Sequence, residues 1–356
     1  TLQYKPLPKV NFRFETTCRN KRSVAVDIKT EEGKEVIRRL AAQADVFVSN
    51  RRRVALEKWG LGYERLAALN PRLIYAIDSG WGPKGPDRDL PGMDLAVQAR
   101  GGLMSQMGDA GTPPPVWGVP TLADKVGALQ LAYGITMALL ARERTGLGQE
   151  LNVSLLGGQL TAGAFMLAEY LTTGEDPPRV DRMALANPLR CTLETRDGRW
   201  VSFNLTESDR HWPNFCRALG LEHLTDDPRF NSADARRTNS RILTPMIMEA
   251  FATRSRDEWV SILPEYGLVF GPVQNYAELA ADPQVVENEY VTTVPHPEAG
   301  PMRVLGLPVQ LSRTPGSIRR TAPKLGEHTE EVLREVGFSR NEIDALRGRG
   351  VVKQAA

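Results

Sequence analysis

Residues 120–144, PTLADKVGALQLAYGITMALLARER, decide the fold of this chain, because the sixteen residues from Val126 to Ala141 carry no charge. The apolar positions of this run do not keep to one stripe, which predicts a helix covered by protein nearly all round. Small residues within it would let other backbones approach closely: Gly127, Ala128, Ala132, Gly134 and Ala138. A membrane span needs about 20 apolar residues. The run is shorter and contains Gln130, so a buried helix is favoured over a span.

The start of this helix carries a carboxylate. Thr121 and Asp124 match the Thr-x-x-Asp form of a capping box, with Asp124 at the third helical position. A helix N-terminus favours the ionised form of an acid, which makes Asp124 a candidate nucleophile. The alternative is that Asp124 only caps its helix. Asp94 begins another predicted helix and has the same two interpretations.

Short apolar strands alternate with helices before this point. Such alternation predicts a parallel, doubly wound sheet of the α/β class, whose active loops lie at the carboxyl ends of the strands. Those ends are Asn50 with Arg51, Arg52 and Arg53, and the loop after Asp78. The arginine run is either a solvated surface or an anion site. The predicted strands are 23–28, 45–48 and 73–77, the predicted helices are 30–42 and 63–69, and residues 1–22 are expected to be irregular.

The pattern changes after residue 190. The Asp197-Gly198 pair between two strand-like runs predicts a hairpin, and three amphipathic helices follow it in a smaller α+β unit that ends near Gly300. We expect helices over 94–104, 156–172, 209–219, 243–253, 256–263 and 329–336, with strands over 149–155 and 304–311.

Composition excludes several classes of protein. A net charge of +2 with interspersed acids and bases argues against a nucleic-acid binder. Three widely spaced cysteines, Cys18, Cys191 and Cys216, predict reduced thiols and a cytoplasmic location. The four histidines have no metal-ligand spacing, so no metal site is expected. Phosphate-cradling loops, dinucleotide fingerprints and nucleophilic serine elbows are absent from the sequence, which leaves carboxylates as the best nucleophile candidates.

Motifs spread over nearly the whole chain resemble the class III CoA-transferases, which include formyl-CoA and carnitine CoA-transferases and the related α-methylacyl-CoA racemases. Each motif is weak alone, but all stand in the family's order. They are Asn20-Lys21-Arg22-Ser23, Leu61-Gly62-Tyr63, Asn70-Pro71-Arg72, Gly92-Met93-Asp94 with Gln98-Ala99, Asp124 to Leu139, Arg142 with Thr145-Gly146 and Gly148-Gln149, Phe270-Gly271-Pro272-Val273, and Leu325-Gly326-Glu327-His328-Thr329.

The resemblance implies an architecture. Family members are interlocked dimers with a Rossmann-like large domain and a small α+β domain. Transferred to this chain, residues 1–188 form the first part of the large CoA-binding domain, 189–299 the small domain, and 300–356 a segment that returns to the large domain. The strand and helix that open the family's large domain are expected to be missing. The same resemblance implies a homodimer, while the charge pattern and the length of the apolar run argue against nucleic-acid and membrane partners.

The resemblance also implies a site and a reaction. Asp124 falls on the family's nucleophilic aspartate, which would attack an acyl-CoA thioester and pass through an aspartyl anhydride and an aspartyl-CoA thioester. No permanently bound cofactor is implied; coenzyme A enters as a thioester substrate, and an organic acid accepts it. The implied CoA contacts are Val26, Asp27, Ile28, Lys29, Asn50, Arg51, Arg52, Lys58, Leu90, Pro91, Gly92 and Met93.

Two departures from the family pattern bear on the reaction. Racemases place a catalytic histidine where this chain has Met93, and a proton shuttle needs a titratable group, so a transferase is favoured over a racemase. Formyl-CoA transferases carry a glycine-rich lid, whereas residues 181–188 contain no glycine. We therefore expect an acid with a larger carbon skeleton than formate or oxalate. The alternatives are an acyl-CoA racemase or epimerase-like enzyme and a non-catalytic, CoA-binding subunit of a heteromeric transferase.

Overall fold

The structure is a computed structural model that describes residues 10–115 and 118–355. These residues form two compact units. The first contains residues 10–103, 118–167 and 280–355, and the second contains 104–115 and 168–279. The division into 1–188, 189–299 and 300–356 stays a prediction.

In the described part of the chain, ten strands form four small sheets. They are β1 Ala25–Val26, β2 Val46–Ser49, β3 Ile74–Ser79, β4 Glu150–Ser154, β5 Thr192–Glu194, β6 Trp200–Phe203, β7 Phe270–Pro272, β8 Val291–His296, β9 Gly300–Leu305 and β10 Val352–Lys353.

Helices connect these strands in the described part of the chain. They are α1 Phe12–Cys18, α2 Glu31–Gln43, α3 Arg53–Lys58, α4 Tyr63–Leu69, α5 Asp94–Arg100, α6 Leu103–Gln106, α7 Leu122–Thr145, α8 Leu155–Ala162, α9 Ala164–Thr173, α10 Ser208–Leu219, α11 Ala233–Thr238, α12 Ser240–Phe251, α13 Arg256–Ile262, α14 Tyr276–Ala281, α15 Pro283–Glu287, α16 Thr329–Glu335 and α17 Arg340–Gly348.

A parallel sheet of three strands lies at the centre of the first unit, in the order β2-β3-β4. This confirms the parallel sheet and the α/β class. The residues of the central strand β3 from Ile74 to Ile77 are apolar, and all of them are buried. The two-residue β1 pairs instead with β10 at the other end of the chain, antiparallel. The predicted strand over 23–28 is therefore much shorter and lies outside the parallel sheet.

The second unit has its own core. Strands β5 and β6 form the predicted hairpin, with Gly198 in the left-handed region at φ 70°, and β7 extends the sheet next to β6. Helices α10, α12 and α13 cover it with large apolar side chains, among them Trp212, Phe215, Phe251 and Trp259. The α+β character predicted for this region is confirmed.

Helix α7 differs from its prediction. Only Ala123, Gly127, Ala138 and Arg142 are buried, because β3, β4 and α8 cover one side of the helix. An apolar stripe on the other side is exposed, with Leu129 at 70% and Tyr133 at 69%, followed by Met137 and Leu140. The described residues therefore cover α7 on one side only, and the prediction of a helix covered by protein nearly all round is not met within them. The close approach of another backbone is confirmed at Gly127, since a Cβ on Gly158 of α8 would lie 3.3 Å from the backbone nitrogen of Gly127.

Other differences have local causes. The helix predicted over 94–104 ends at Arg100, because Gly102 adopts φ 86°. The helix over 156–172 is interrupted at Gly163. Helix α1 lies where an irregular segment is predicted, while residues 1–9 of that prediction lie outside the described residues. Strand β9 ends at Leu305 rather than extending to 311.

Candidate active site

Asp124 lies in the first turn of α7, but Thr121 does not cap this helix. Thr121 adopts a left-handed conformation at φ 62° and its side chain makes no capping hydrogen bond. The carboxylate of Asp94 takes that role from the start of α5. Its Oδ1 accepts hydrogen bonds from the backbone N–H groups of Ala123 at 2.9 Å and Asp124 at 3.3 Å, and its Oδ2 accepts one from Thr121 N–H at 3.0 Å. The predicted capping box is therefore wrong, as is the prediction that Asp94 caps its own helix.

The arrangement changes the electrostatics expected at Asp124. Its carboxylate was expected to be stabilised as an anion by the helix N-terminus, yet Asp94 already occupies the free N–H groups there. Burial, followed by the negative charge of Asp94, raises the pKa of Asp124 above its ordinary value, and Lys125 opposes the shift. A carboxylate with a raised pKa is a stronger base and a better nucleophile than one held by several donors.

A third carboxylate lies behind α7. Asp78, near the carboxyl end of β3, packs against Gly127, where an added Cβ would lie 3.1 Å from Asp78 Oδ2. Its Oδ1 is inaccessible to solvent and has no hydrogen-bond partner among the described residues. Burial and then the charge of Asp124 raise the pKa of Asp78 to about 6. Asp78, Asp94 and Asp124 thus come from three elements and surround the first turns of α7.

Near the first turn of α7, the backbone of the loop after β3 contacts the backbone of the loop before α5. A Cβ on Gly92 would lie 2.5 Å from Gly80 Cα, so both positions need glycine for close approach. Trp81 Nε1 donates a hydrogen bond to Pro91 O at 3.2 Å, and the guanidinium of Arg100 stacks on the Trp81 ring at 4.8 Å. Trp81 is therefore an anchor of the loop that carries Leu90, Pro91, Gly92 and Met93.

The basic residues predicted at the sheet edge have different environments. Arg53 is engaged by Glu150 and by Asn152 Oδ1, so it is not free to bind an anion. Arg52 Nη1 donates to Asp89 O at 3.4 Å, which brings the end of β2 next to the Leu90 loop. Arg51 and Asn50 follow β2 and are exposed, and Lys58 is exposed at the end of α3.

Residues 26–29 form the turn between β1 and α2. Asp27 O accepts hydrogen bonds from Thr30, Asp27 Oδ1 accepts one from Lys29 N–H at 3.0 Å, and Ile28 is half-buried. Gly33 allows this turn to close, because a Cβ there would lie 2.0 Å from Asp27 O. The turn is thus a rigid platform of backbone groups, and the Lys29 ammonium has no partner among the described residues.

The site holds no candidate metal cluster. Within residues 10–115 and 118–355 no group of three or more His, Cys, Asp or Glu side chains could hold a metal ion. In the same residues, none of the helices is long and apolar enough to cross a membrane.

Comparison with known proteins assigns the chain to a family. The family model described as CoA-transferase family III matches residues 3–329. The chain belongs to this family. Enzymes of CoA-transferase family III take CoA thioesters as substrates, and the aspartate at the start of α7 thus stands in a CoA-transferase.

Several relatives share most of their length with this family III chain. The (R)-2-hydroxy-4-methylpentanoate CoA-transferase of Clostridioides difficile is 31% identical over 96% of this chain and 86% of its own length. The formyl-CoA:oxalate CoA-transferase of Streptomyces avermitilis is 31% identical over 98% of this chain and 89% of its own. A CAIB/BAIF family protein from Brucella suis, whose crystal structure is known, superposes with a TM-score of 0.80 at 32% identity, covering 91% of this chain and 83% of its own.

Two features of this CoA-transferase site were missed by sequence reasoning. The capping of α7 by Asp94 depends on a contact across about 30 residues of chain, which no local pattern reveals. From the sequence alone, Asp78 is interpreted as the polar end of an apolar strand. Its position after four buried residues, 74–77, was the one available signal that its carboxyl group would be partly desolvated.

Proposed function

We propose that this CoA-transferase moves CoA from an acyl-CoA to a carboxylic acid through covalent intermediates on Asp124. The observation that carries the proposal is the position of Asp124. Its side chain is exposed and accepts no hydrogen bond from the residues that the structure describes, and it stands on a helical turn whose backbone is held by a second carboxylate. A nucleophile needs an accessible oxygen with a fixed position and a reactive charge state.

The reaction proceeds by two exchanges at carbonyl carbons. An oxygen of Asp124 forms a bond to the thioester carbonyl carbon, the carbon–sulfur bond breaks, and CoA leaves as the thiolate. The thiolate then attacks the Asp124 carbonyl carbon of the anhydride and releases the first acid as its carboxylate. The incoming carboxylate repeats these steps in reverse and leaves as the new acyl-CoA, which restores the Asp124 carboxylate. The thioester bond energy is thus retained on the enzyme as long as water is excluded.

Residues of the predicted CoA set support binding of an anionic substrate. The side chains of Lys29, Arg51 and Lys58 have no hydrogen-bond or ion-pair partner among the described residues, so they remain available to phosphate groups. Backbone of the Val26 to Lys29 turn and the loop from Leu90 to Met93 would supply the remaining contacts, together with Asn50 and Arg52.

We further propose that the enzyme is a cytoplasmic homodimer, with the two chains interlocked. The exposed apolar stripe of α7 supports the dimer, because a monomer rarely leaves such a surface in water. Three cysteines without disulfide bonds support a reducing compartment.

Intact-protein mass spectrometry tests the proposal. The wild type, Asp124→Ala and the matched acidic control Asp344→Ala are incubated at neutral pH with a panel of acyl-CoAs. We expect an added acyl or CoA mass on the wild type and on Asp344→Ala that hydroxylamine removes, and none on Asp124→Ala.

The contrary result is equally clear. If folded wild-type protein binds CoA but forms no adduct with any donor, the result contradicts the transferase and favours a racemase-like enzyme or a non-catalytic subunit. If Asp124→Ala still forms the adduct, another residue is the nucleophile.

A further inference from the structure

The surroundings of Asp124 within the first unit are defined by hydrogen bonds that Asp94 accepts and Gln98 donates. Asp94 joins the start of α5 to the first turn of α7. Gln98 Nε2 donates to Asp94 Oδ2 and to Val119 O, both at 2.8 Å. Met93, which directly precedes Asp94, and Val119, two residues before Thr121, therefore lie in segments that these hydrogen bonds tie to the first turn of α7.

Apolar side chains at these positions face solvent. Met93 is 77% exposed, Leu90 52% and Val119 49%. We call Leu90, Met93 and Val119 the apolar rim. The loop of Leu90 and Met93 cannot fold inward to hide these side chains, because the Gly80–Gly92 contact and the Trp81 hydrogen bond to Pro91 hold its backbone. Exposed apolar surface costs about 25 cal/mol per Å² relative to its burial, so a ligand that covers the rim gains that free energy.

Charge around the nucleophile disfavours one class of substrate. Asp78, Asp94 and Asp124 place three carboxyl groups around the first turns of α7. The charge of Lys125 opposes the rise in the pKa of Asp124. A second carboxylate on the acyl group would be held among like charges, and like charges at close range disfavour binding.

We propose that the acyl group transferred to Asp124 is a branched or aromatic apolar chain without a second carboxylate, and that Met93 selects it by contact. The inference rests on the proposed function, since it assumes that Asp124 receives the acyl group. Met suits this role because its flexible, polarisable side chain adapts to apolar groups of different shape.

Isotope exchange between each acyl-CoA and its own ¹³C-labelled acid tests the proposal without knowledge of the natural partner acid. The panel contains isovaleryl-CoA, phenylacetyl-CoA, acetyl-CoA and succinyl-CoA, and kcat/KM is measured for each. In the wild type we expect the better of the two apolar donors to exceed succinyl-CoA by about tenfold or more, because a few buried methylene groups discriminate by that much.

Variants distinguish selection of the acyl group by Met93 from a general change in activity. Met93→Ser should lower the ratio of kcat/KM for the apolar donor over acetyl-CoA by about tenfold, while Met93→Leu should retain it. Val286→Ser, which removes an exposed apolar side chain on α15, should leave the ratio unchanged.

Three results would overturn the inference, and they differ from failure of the proposed function. Equal or faster exchange of succinyl-CoA in the wild type contradicts the apolar substrate class. An unchanged ratio in Met93→Ser, or a loss of the ratio in Met93→Leu, contradicts selection by Met93. By contrast, absence of exchange and of an Asp124 adduct for every donor would reject the covalent transferase itself.

Discussion

The carboxylate of Asp94 holds the N-terminus of a helix to which it does not belong. Three backbone N–H groups, those of Thr121, Ala123 and Asp124, share its two oxygens. Asp94→Ala should therefore lower the free energy of unfolding by about 1–2 kcal/mol, the usual cost of a lost helix cap. Urea denaturation at neutral pH measures this loss as a lower midpoint.

The same variant should slow acylation of Asp124 by about tenfold or more, because the first turn of α7 loses its fixed position. Asp94→Asn retains one acceptor oxygen and should lie between alanine and wild type in both measurements. An Asp94→Ala protein with wild-type stability would show that the cap contributes nothing to the fold.

Asp78 links stability to pH. Its pKa is raised to about 6, so its burial opposes the ionised form. The wild type therefore loses stability as pH rises through 6, a loss that an uncharged residue avoids. Asp78→Asn should match the wild type in melting temperature at pH 4 and exceed it by roughly 2 °C at pH 8.

Differential scanning calorimetry of both proteins at the two pH values checks this prediction. The exposed variant Asp344→Asn serves as the control. A difference between Asp78→Asn and wild type that is the same at pH 4 and pH 8 would mean that the Asp78 carboxyl group does not titrate in this range.

Loops rather than helices set the shape of the sheet edge. The loop after β3 and the loop before α5 touch at Gly80 and Gly92, and a methyl group on Gly92 would lie 2.5 Å from Gly80 Cα. Gly92→Ala should push the loops apart and weaken CoA binding about tenfold, because the Leu90 to Met93 segment would shift.

Isothermal titration calorimetry with free CoA measures this effect. Gly271→Ala is the matched control, since a Cβ at Gly271 meets nothing within 4 Å. If Gly92→Ala binds CoA as tightly as the wild type, the loop is not part of the CoA site.

The sequence predicted an element correctly where neighbouring residues in the chain determine that element. Helix α4 has the predicted bounds, 63–69, and the Asp197-Gly198 turn joins β5 and β6 as expected. Prediction failed where the cause is a distant partner. The pairing of β1 with β10 joins residues more than 300 positions apart, and the α7 cap comes from α5. Thr121 illustrates the limit, because its sequence matches a capping box while a more distant carboxylate occupies the N–H groups.

At the scale of the whole molecule, the exposed stripe of α7 is the feature that a single chain does not explain. Leu129, Tyr133, Met137 and Leu140 recur at helical spacing on one side of the helix. We expect a second copy to cover them, so the double variant Tyr133→Glu/Met137→Glu should shift the protein from dimer to monomer. Burying the new charges would cost several kcal/mol.

Size-exclusion chromatography with light scattering measures the mass of each form. The control Val286→Glu introduces a charge at another exposed apolar position and should remain dimeric. A wild type that is monomeric at micromolar concentration would contradict the dimer directly.

The uncharged run of α7 shows why sequence could not foresee this surface. The sequence predicts that protein covers every apolar face of the helix, without specifying which chain supplies that protein. Within the described residues, only the face with Gly127 and Ala138 is buried. The prediction is not met within these residues, because hydropathy indicates which surface is apolar but not what covers it.

The backbone N–H groups at the N-terminus of α7 already have hydrogen-bond acceptors, and this has a practical consequence for crystallisation and assay buffers. Helix N-termini commonly collect sulfate or phosphate from solution. Here Leu122 N–H donates to Val119 O and the neighbouring N–H groups donate to Asp94. We therefore expect crystals grown from ammonium sulfate to show no sulfate at this helix, and any inhibition by sulfate or phosphate to be competitive with CoA, through Lys29, Arg51 and Lys58.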